Sequence, residues 1–520
     1  MGLNLRRSYD AANVFDPLLR AKRSRRLTSF ATASTRELAA TDIAGLDDVL
    51  RGGLTRGRFY LLEGSPGTGK TTLAMQFLSA AARRHETVLY VTLSESEDEL
   101  RAVALSHGWT LDGVNIHELA PSSNAIEPDE QYTMFHASEV ELGVTLKIVL
   151  DAIVRLKPTC VVFDSLSELR LLAGNPLRYR RHILALKQFL GTRQCTTMLL
   201  DDMTATDQDL QMQSIAHGVI RLEQLSPEYG SERRRLRVVK LRGVAFRSGF
   251  HDYIIRYGGI EVFPRLVASE HRHIASRVKH SSGIHGIDQL LGGGIEEGTS
   301  TLVVGAAGTG KSTLATQFGV AAASRGKKAA LFVFDENPAT LITRCTALGI
   351  DLAGAIERGN ISLKQIDPAE LAPGEFIQSV RRAVTEQKAS IVIIDSLNGY
   401  LNAMPGERFL TIQLHELLMY LGQQSVATIM IAAHSGLIGA AMQTPVDATY
   451  LADAVILLRY FEARGDVRQA ISVVKKRGSQ HERTIREFSL GAGGIQVGEP
   501  LREFRGVLTG VPVFEGTAQR

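Results

Sequence analysis

Cysteine is scarce in this sequence. Cys160, Cys195 and Cys345 are the only three, far apart and never in a CxxC pair, which leaves a zinc ribbon or a dithiol redox motif without support. Three scattered thiols and no secretory signal fit a reducing cytoplasm. A dominant charge is also lacking: 59 basic against 55 acidic side chains give a formal net charge of +4. That excess does not by itself argue for nucleic acid. Long apolar runs are missing too. The longest charge-poor stretch, around residues 429–442, is too short for a bilayer and carries a histidine, so no membrane span is expected.

What is present is an ordinary globular composition, 44% hydrophobic and 22% charged over 520 residues, enough for two to four domains. Residues 1–36 stand apart. They hold Arg6, Arg7, Arg20, Lys22, Arg23, Arg25, Arg26 and Arg36 against Asp10 and Asp16, and read as a basic flexible extension.

The rest is a duplication. IAGLDDVLRGGL and GIHGIDQLLGGGI open two similar halves, and the offset between Gly45 and Gly286 is the offset between Lys70 and Lys311. A repeat this long is a duplicated domain and not a solenoid unit. The expected boundaries are 37–264 for the first domain, 265–280 for a polar linker, 281–500 for the second domain and 501–520 for a short tail. His271 and His273 in the linker have no further ligand nearby and read as solvated. FYLLE, VLYVTL, CVVFD and TTMLLDD in the first half answer to TLVVG, AALFVF, IVIID and ATIMIAA in the second. Such continuous apolar strands alternating with helical patterns predict an α/β fold, each half a mainly parallel sheet flanked by helices.

Gly64-Ser65-Pro66-Gly67-Thr68-Gly69-Lys70-Thr71 and Gly305-Ala306-Ala307-Gly308-Thr309-Gly310-Lys311-Ser312 both fit GxxxxGK[ST], with Thr72 and Thr313 next in line. An apolar strand precedes each loop and a helical run follows, the context that a phosphate-binding loop requires. Backbone N–H groups and the helix N-terminus would cradle the phosphates of ATP. Lys70 and Lys311 would reach the β- and γ-phosphates, while Thr71 and Ser312 would ligate Mg²⁺. Asp164 and Asp395, each ending an apolar strand and followed by Ser-Leu, are the matching Mg²⁺ carboxylates.

The two loops, the strand-end Asp-Ser, VVKLRG, VVKKRG and the run REFSLGAGGIQVG together resemble the KaiC family of clock ATPases and kinases, within the RecA-like P-loop NTPases. The resemblance runs from about Thr41 to about Gly510. It implies tandem RecA-like domains, a hexameric double ring with ATP held between subunits, slow ATP hydrolysis, and Ser/Thr autophosphorylation in the second domain. The family's Glu-Glu pair after the second strand falls on Ser94-Glu95 and Asp335-Glu336. Glu95, Asp335 and Glu336 are therefore the candidate catalytic acids, since the hydroxyl of Ser94 is no comparable base near pH 7. Lys240, Arg242, Lys475 and Arg477 fall on cations that in the family touch the γ-phosphate bound by the adjacent subunit. Thr449 stands at the first of two phosphoacceptor positions and Tyr450 at the second. After GVLTGVPVF the chain has no counterpart of the family's long regulatory tail, so a partner acting through that tail is not expected.

Three functions remain open at this level: an ATPase and autokinase in signalling with a protein partner, a RecA-like DNA-dependent ATPase, or an ATP-stabilised binding platform. Nucleic acid is disfavoured as a partner, because no zinc finger or helix-turn-helix pattern occurs. The basic run Arg233-Arg234-Arg235 reads as a solvated hairpin.

Overall fold

A computed structural model describes residues 37–119, 137–203, 210–227, 229–270, 278–402, 410–433, 448–509 and 513–514. The basic extension and both linker histidines, His271 and His273, lie outside the described residues.

Nine strands form the first sheet: β1 (Phe59–Glu63), β2 (Val88–Thr92), β3 (Val114–Glu118), β4 (Cys160–Asp164), β5 (Thr196–Asp201), β6 (Gly218–Leu225), β7 (Arg233–Leu241), β8 (His251–Arg256) and β9 (Gly259–Phe263). Nine more form the second: β10 (Ser300–Gly305), β11 (Lys328–Val333), β12 (Ile361–Gln365), β13 (Ala389–Asp395), β14 (Ala427–Ala433), β15 (Ala454–Ala463), β16 (Asp466–Lys476), β17 (Ile485–Gly491) and β18 (Gly494–Pro500). Their spatial orders, β3-β2-β4-β5-β1-β6-β7-β8-β9 and β12-β11-β13-β14-β10-β15-β16-β17-β18, are the same. Pairing is parallel from β3 to β6 and antiparallel from β6 to β9. The expected mainly parallel sheets are thus present in both halves.

The central parallel strands, such as β1, β2, β4 and β5, are buried along their whole length because both sheet faces are covered there. Tyr60 and Leu62 pack into one core with Leu73 and Phe77 of the helix Lys70–Arg83. Phe59 and Leu61 face the other core, with Val149, Ile153 and Ile183 from helices Ala137–Leu156 and Pro176–Thr192. Leu302 and Val303 divide in the same way in the second sheet.

The halves meet along the antiparallel edge of the first sheet. Glu261 pairs with Arg382 at 2.7 Å. The Gly374 N–H donates to Asp252 at 2.7 Å, and the Ala268 N–H to Glu416 at 3.0 Å. The basic run does stand in a hairpin, at the start of the antiparallel pair β6–β7, but it is half-buried and not solvated. Arg233 donates to the carbonyl of Pro368 at 2.8 Å, Arg234 pairs with Glu232 at 2.7 Å and Arg235 with Glu223 at 2.9 Å. These residues lie in the strand β7, where the seam and cross-strand acids use their charge.

Candidate functional site

Each phosphate-binding loop leaves the end of a central strand and turns into a helix. Gly69 and Gly310 cap those helices with φ of 88° and 91°, a left-handed conformation that disfavours a side chain. A Cβ on Gly69 would also come within 2.4 Å of Ile255. The Lys70 ammonium is buried, bonded to the carbonyl oxygens of Gly64 at 2.8 Å and Ser65 at 3.1 Å, and paired with Asp202 at 2.8 Å. Lys311 bonds the Ala306 carbonyl at 2.7 Å; burial lowers its pKa, against the pull of Asp395. Thr68 and Thr309 tie each loop with hydroxyl bonds to the carbonyls of Ser65 and Ala306.

The strand-end acids sit where the sequence places them. Asp164 accepts from the Thr71 hydroxyl at 2.8 Å and from Tyr90 at 2.5 Å, and Ser312 donates to Asp395. Burial raises the pKa of both carboxyls, that of Asp395 to about 6. A buried carboxylate beside a hydroxyl is the hard oxygen pair that Mg²⁺ takes. The residues present therefore fit the ion.

The acids after the second strand differ between the halves. Burial, then the charge of Asp164, raises the pKa of Glu95, and its Oε2 is buried with no hydrogen-bond partner among the described residues. Asp335 accepts from the Ser396 hydroxyl, and Glu336 is held bidentately by Arg344 at 2.8 and 2.9 Å. Sequence reasoning missed Tyr90, Asp202 and Arg344. Only Asp202 had a visible signal, in the acidic end of TTMLLDD. Burial disfavours its charge, but Lys70 and the hydroxyls of Ser165 and Ser167 hold its pKa below the usual range.

The late cations lie elsewhere. β6 starts beside Tyr60, and Lys240 is opposite Val219, so Lys240 and Arg242 occupy the end where the parallel strands begin. The loop at Gly64 lies where they finish. Arg242 donates to the Ser214 carbonyl at 2.8 Å and Lys240 to that of Gln213. In the second half Lys475 bonds the carbonyls of Thr449 and Ala452, both at 2.7 Å, and Arg477 that of Tyr450 at 3.2 Å. Thr449 and Tyr450 are exposed in the short turn Ala448–Tyr450, just before β15. Six residues of β10 separate that end from the second loop, about 20 Å at roughly 3.3 Å per residue.

Two sheets of this order, each with a phosphate-binding loop on its central strand and an acid ending the strand two places away, define a tandem RecA-like ATPase. The chain belongs to the KaiC ATPase family, whose model matches residues 39–267 and 280–502. It is 29% identical over 478 residues to the circadian clock oscillator protein KaiC of Thermosynechococcus vestitus, covering 91% of each chain. The KaiC of Picosynechococcus sp. is also 29% identical, over 91% of this chain and 92% of its own. The circadian clock protein KaiC3 of Synechocystis sp. is 27% identical over 93% of this chain and 95% of its own. Among the described residues no helix is long and apolar enough to cross a membrane.

Proposed function

We propose that the protein is a cytoplasmic, ATP-hydrolysing double ring, six subunits around, with autophosphorylation of Thr449 in the second domain. ATP is held by the loop of one subunit, and the site is completed by Lys240 and Arg242, or Lys475 and Arg477, of the next. The observation that carries this is polarity: the late cations and Thr449 lie at the opposite end of each sheet from their own loop. A fixed cation that stabilises developing phosphate charge must stand beside that phosphate, so these residues serve a neighbour's site.

Lys70, Thr71 and Asp164 in the first domain, and Lys311, Ser312 and Asp395 in the second, would hold Mg²⁺-ATP; the ion neutralises charge on the β- and γ-oxygens. In the first domain Glu95 orients a water whose oxygen attacks the γ-phosphorus. The bond to the bridging oxygen breaks, ADP leaves, and the water's proton passes to the Glu95 carboxylate. In the second domain the Thr449 hydroxyl of the adjoining subunit attacks instead, giving its proton to Asp335 or Glu336. Tyr450 would carry its oxygen several ångströms further out, against the positioning that the transfer demands.

Mixing two crippled chains tests the reading. Lys70→Ala with Lys311→Ala empties both loops; Arg242→Ala with Arg477→Ala removes one cation from each shared site. Each variant alone is expected to lose about 100-fold or more in turnover, and equal mixing to restore a measurable fraction, with phosphate on the 444–454 peptide of the loop-dead chain only. A mixture that co-assembles yet stays as inactive as its parents would exclude shared sites.

A further inference from the structure

At the strand-start end of the first sheet is a cavity of about 750 Å³, walled by Arg56, Arg58, Lys187, Gln188 and His217 among others, with Glu37 as the one acid on its wall. Glu86 neutralises Arg56 at 2.6 Å, and Glu37 stands 4.0 Å from the same guanidinium. Among the described residues no carboxylate pairs with Arg58 or Lys187, nor with Lys240 or Arg242 beside them. Lys187 donates to the Ile215 carbonyl at 2.6 Å, Arg242 to Ser214 and Lys240 to Gln213. Three cations thus converge on three consecutive carbonyls. Burial, then the positive charge of Lys187, Arg58, Arg242 and Lys240, drives the His217 imidazole down to a pKa of about 4.

The second sheet neutralises the same corner. Strand register puts Thr299 where the first half has Arg58 and Asp453 where it has His217, and counting back from Thr197 and Thr428 without a gap puts Leu418 where it has Lys187. Asp453 lies 3.6 Å from Arg477 and accepts from the Ser300 N–H at 3.0 Å. The first-domain corner carries no such acid, and uncompensated like charges repel unless an anion arrives.

We propose that this corner is a polyphosphate-binding pocket in which Arg58 and Lys187 extend the Lys240–Arg242 pair toward a triphosphate chain. The volume lies within the range of small-ligand sites, and guanidinium with ammonium is the donor set that a multiply charged phosphate chain takes. The chain belongs either to the neighbour's nucleotide, which rests on the shared-site reading, or to a free polyphosphate, which does not.

The test uses the full chain and inorganic tripolyphosphate. In the Lys70→Ala, Lys311→Ala protein, calorimetry is expected to detect tripolyphosphate binding. Adding Arg58→Thr and Lys187→Leu, the residues of the second half, should weaken it about ten-fold or more. Arg58→Lys with Lys187→Arg keeps the charge and should retain most of the affinity, which separates lost cations from lost fold. If the pocket serves only a neighbour's nucleotide, free tripolyphosphate will not bind. Arg58→Thr with Lys187→Leu will then raise the ATP Kd of the assembled first ring about ten-fold, measured with the second loops emptied by Lys311→Ala. Neither effect, in variants with wild-type circular dichroism, overturns the pocket. A chain that stays monomeric in Mg²⁺-ATP but shows the tripolyphosphate effect sinks shared sites and leaves the pocket standing.

Discussion

His251 is wholly buried in the first domain, with Nε2 facing the Arg247 carbonyl at 3.0 Å and Nδ1 accepting from the Arg265 N–H at 2.8 Å. A neutral ring satisfies both contacts; a second ring proton would face a donor. Burial above all lowers its pKa from 6.5 to about 4, with Arg247 and Arg265 adding repulsion and Asp48 opposing it. Between those values the unfolded chain binds more protons than the folded one. This contribution is therefore complete above pH 6.5 and declines as pH falls toward 4. His217 acts in the same sense. His251 should remove about 2 kcal/mol by pH 5, and the half-buried His217, whose cationic neighbours are screened by solvent, less. Urea titrations at pH 7.5 and 5 are expected to show His251→Asn less stable at the higher pH but with a shallower loss on acidification. An unchanged slope would mean that His251 is not held neutral. Residues whose chemistry depends on distant neighbours were the ones the sequence hid. Lys70 and Thr71 announce themselves through adjacent glycines, whereas Asp202 reaches Lys70 from 132 positions away along the chain. Arg344 looked like any helical arginine.

Two helices occupy the same place beside the two sites, and one of the positions at which they differ bears on the acids. Leu100 and Leu341 anchor Glu97–Ser106 and Pro338–Ala347 in their cores. Three residues on, the first helix carries Val103 and the second Arg344. The guanidinium engages both oxygens of Glu336, while the Glu95 Oε2 has no partner among the described residues. A carboxylate held on both oxygens is poorly placed to orient a water. Arg344→Val in a Lys70→Ala background should therefore raise hydrolysis at the second site about two- to ten-fold relative to phosphate transfer. The check is phosphate release against phosphopeptide yield in one sample; an unchanged ratio would show that the clamp does not restrain Glu336. The strands that carry these sites were legible because burial on both faces leaves a continuous apolar signature, as in FYLLE and IVIID. The antiparallel strands β7 to β9 were less so. One face of that edge meets the other domain, and its arginines resemble a solvated surface until Asp252, Glu261 and Pro368 come into view.

That edge also fixes how the halves sit together. Glu261 lies between Arg256 and Arg382, so Glu261→Lys places three cations in contact and removes the pairing across the seam. Faster proteolysis within residues 265–280, by several-fold, is the expected outcome, with each domain still protected. Unchanged cleavage would show that the seam does not depend on this pair. At the same scale, each sheet has a loop at one pole and its late Lys-Arg pair at the other. With the shared sites proposed above, such a particle would have a head and a tail, so one copy would accept the next and a face-to-face pair would leave both sites incomplete. Only curvature closes such a series, and a chain whose two sheets demanded different curvatures would grow as a polar filament instead.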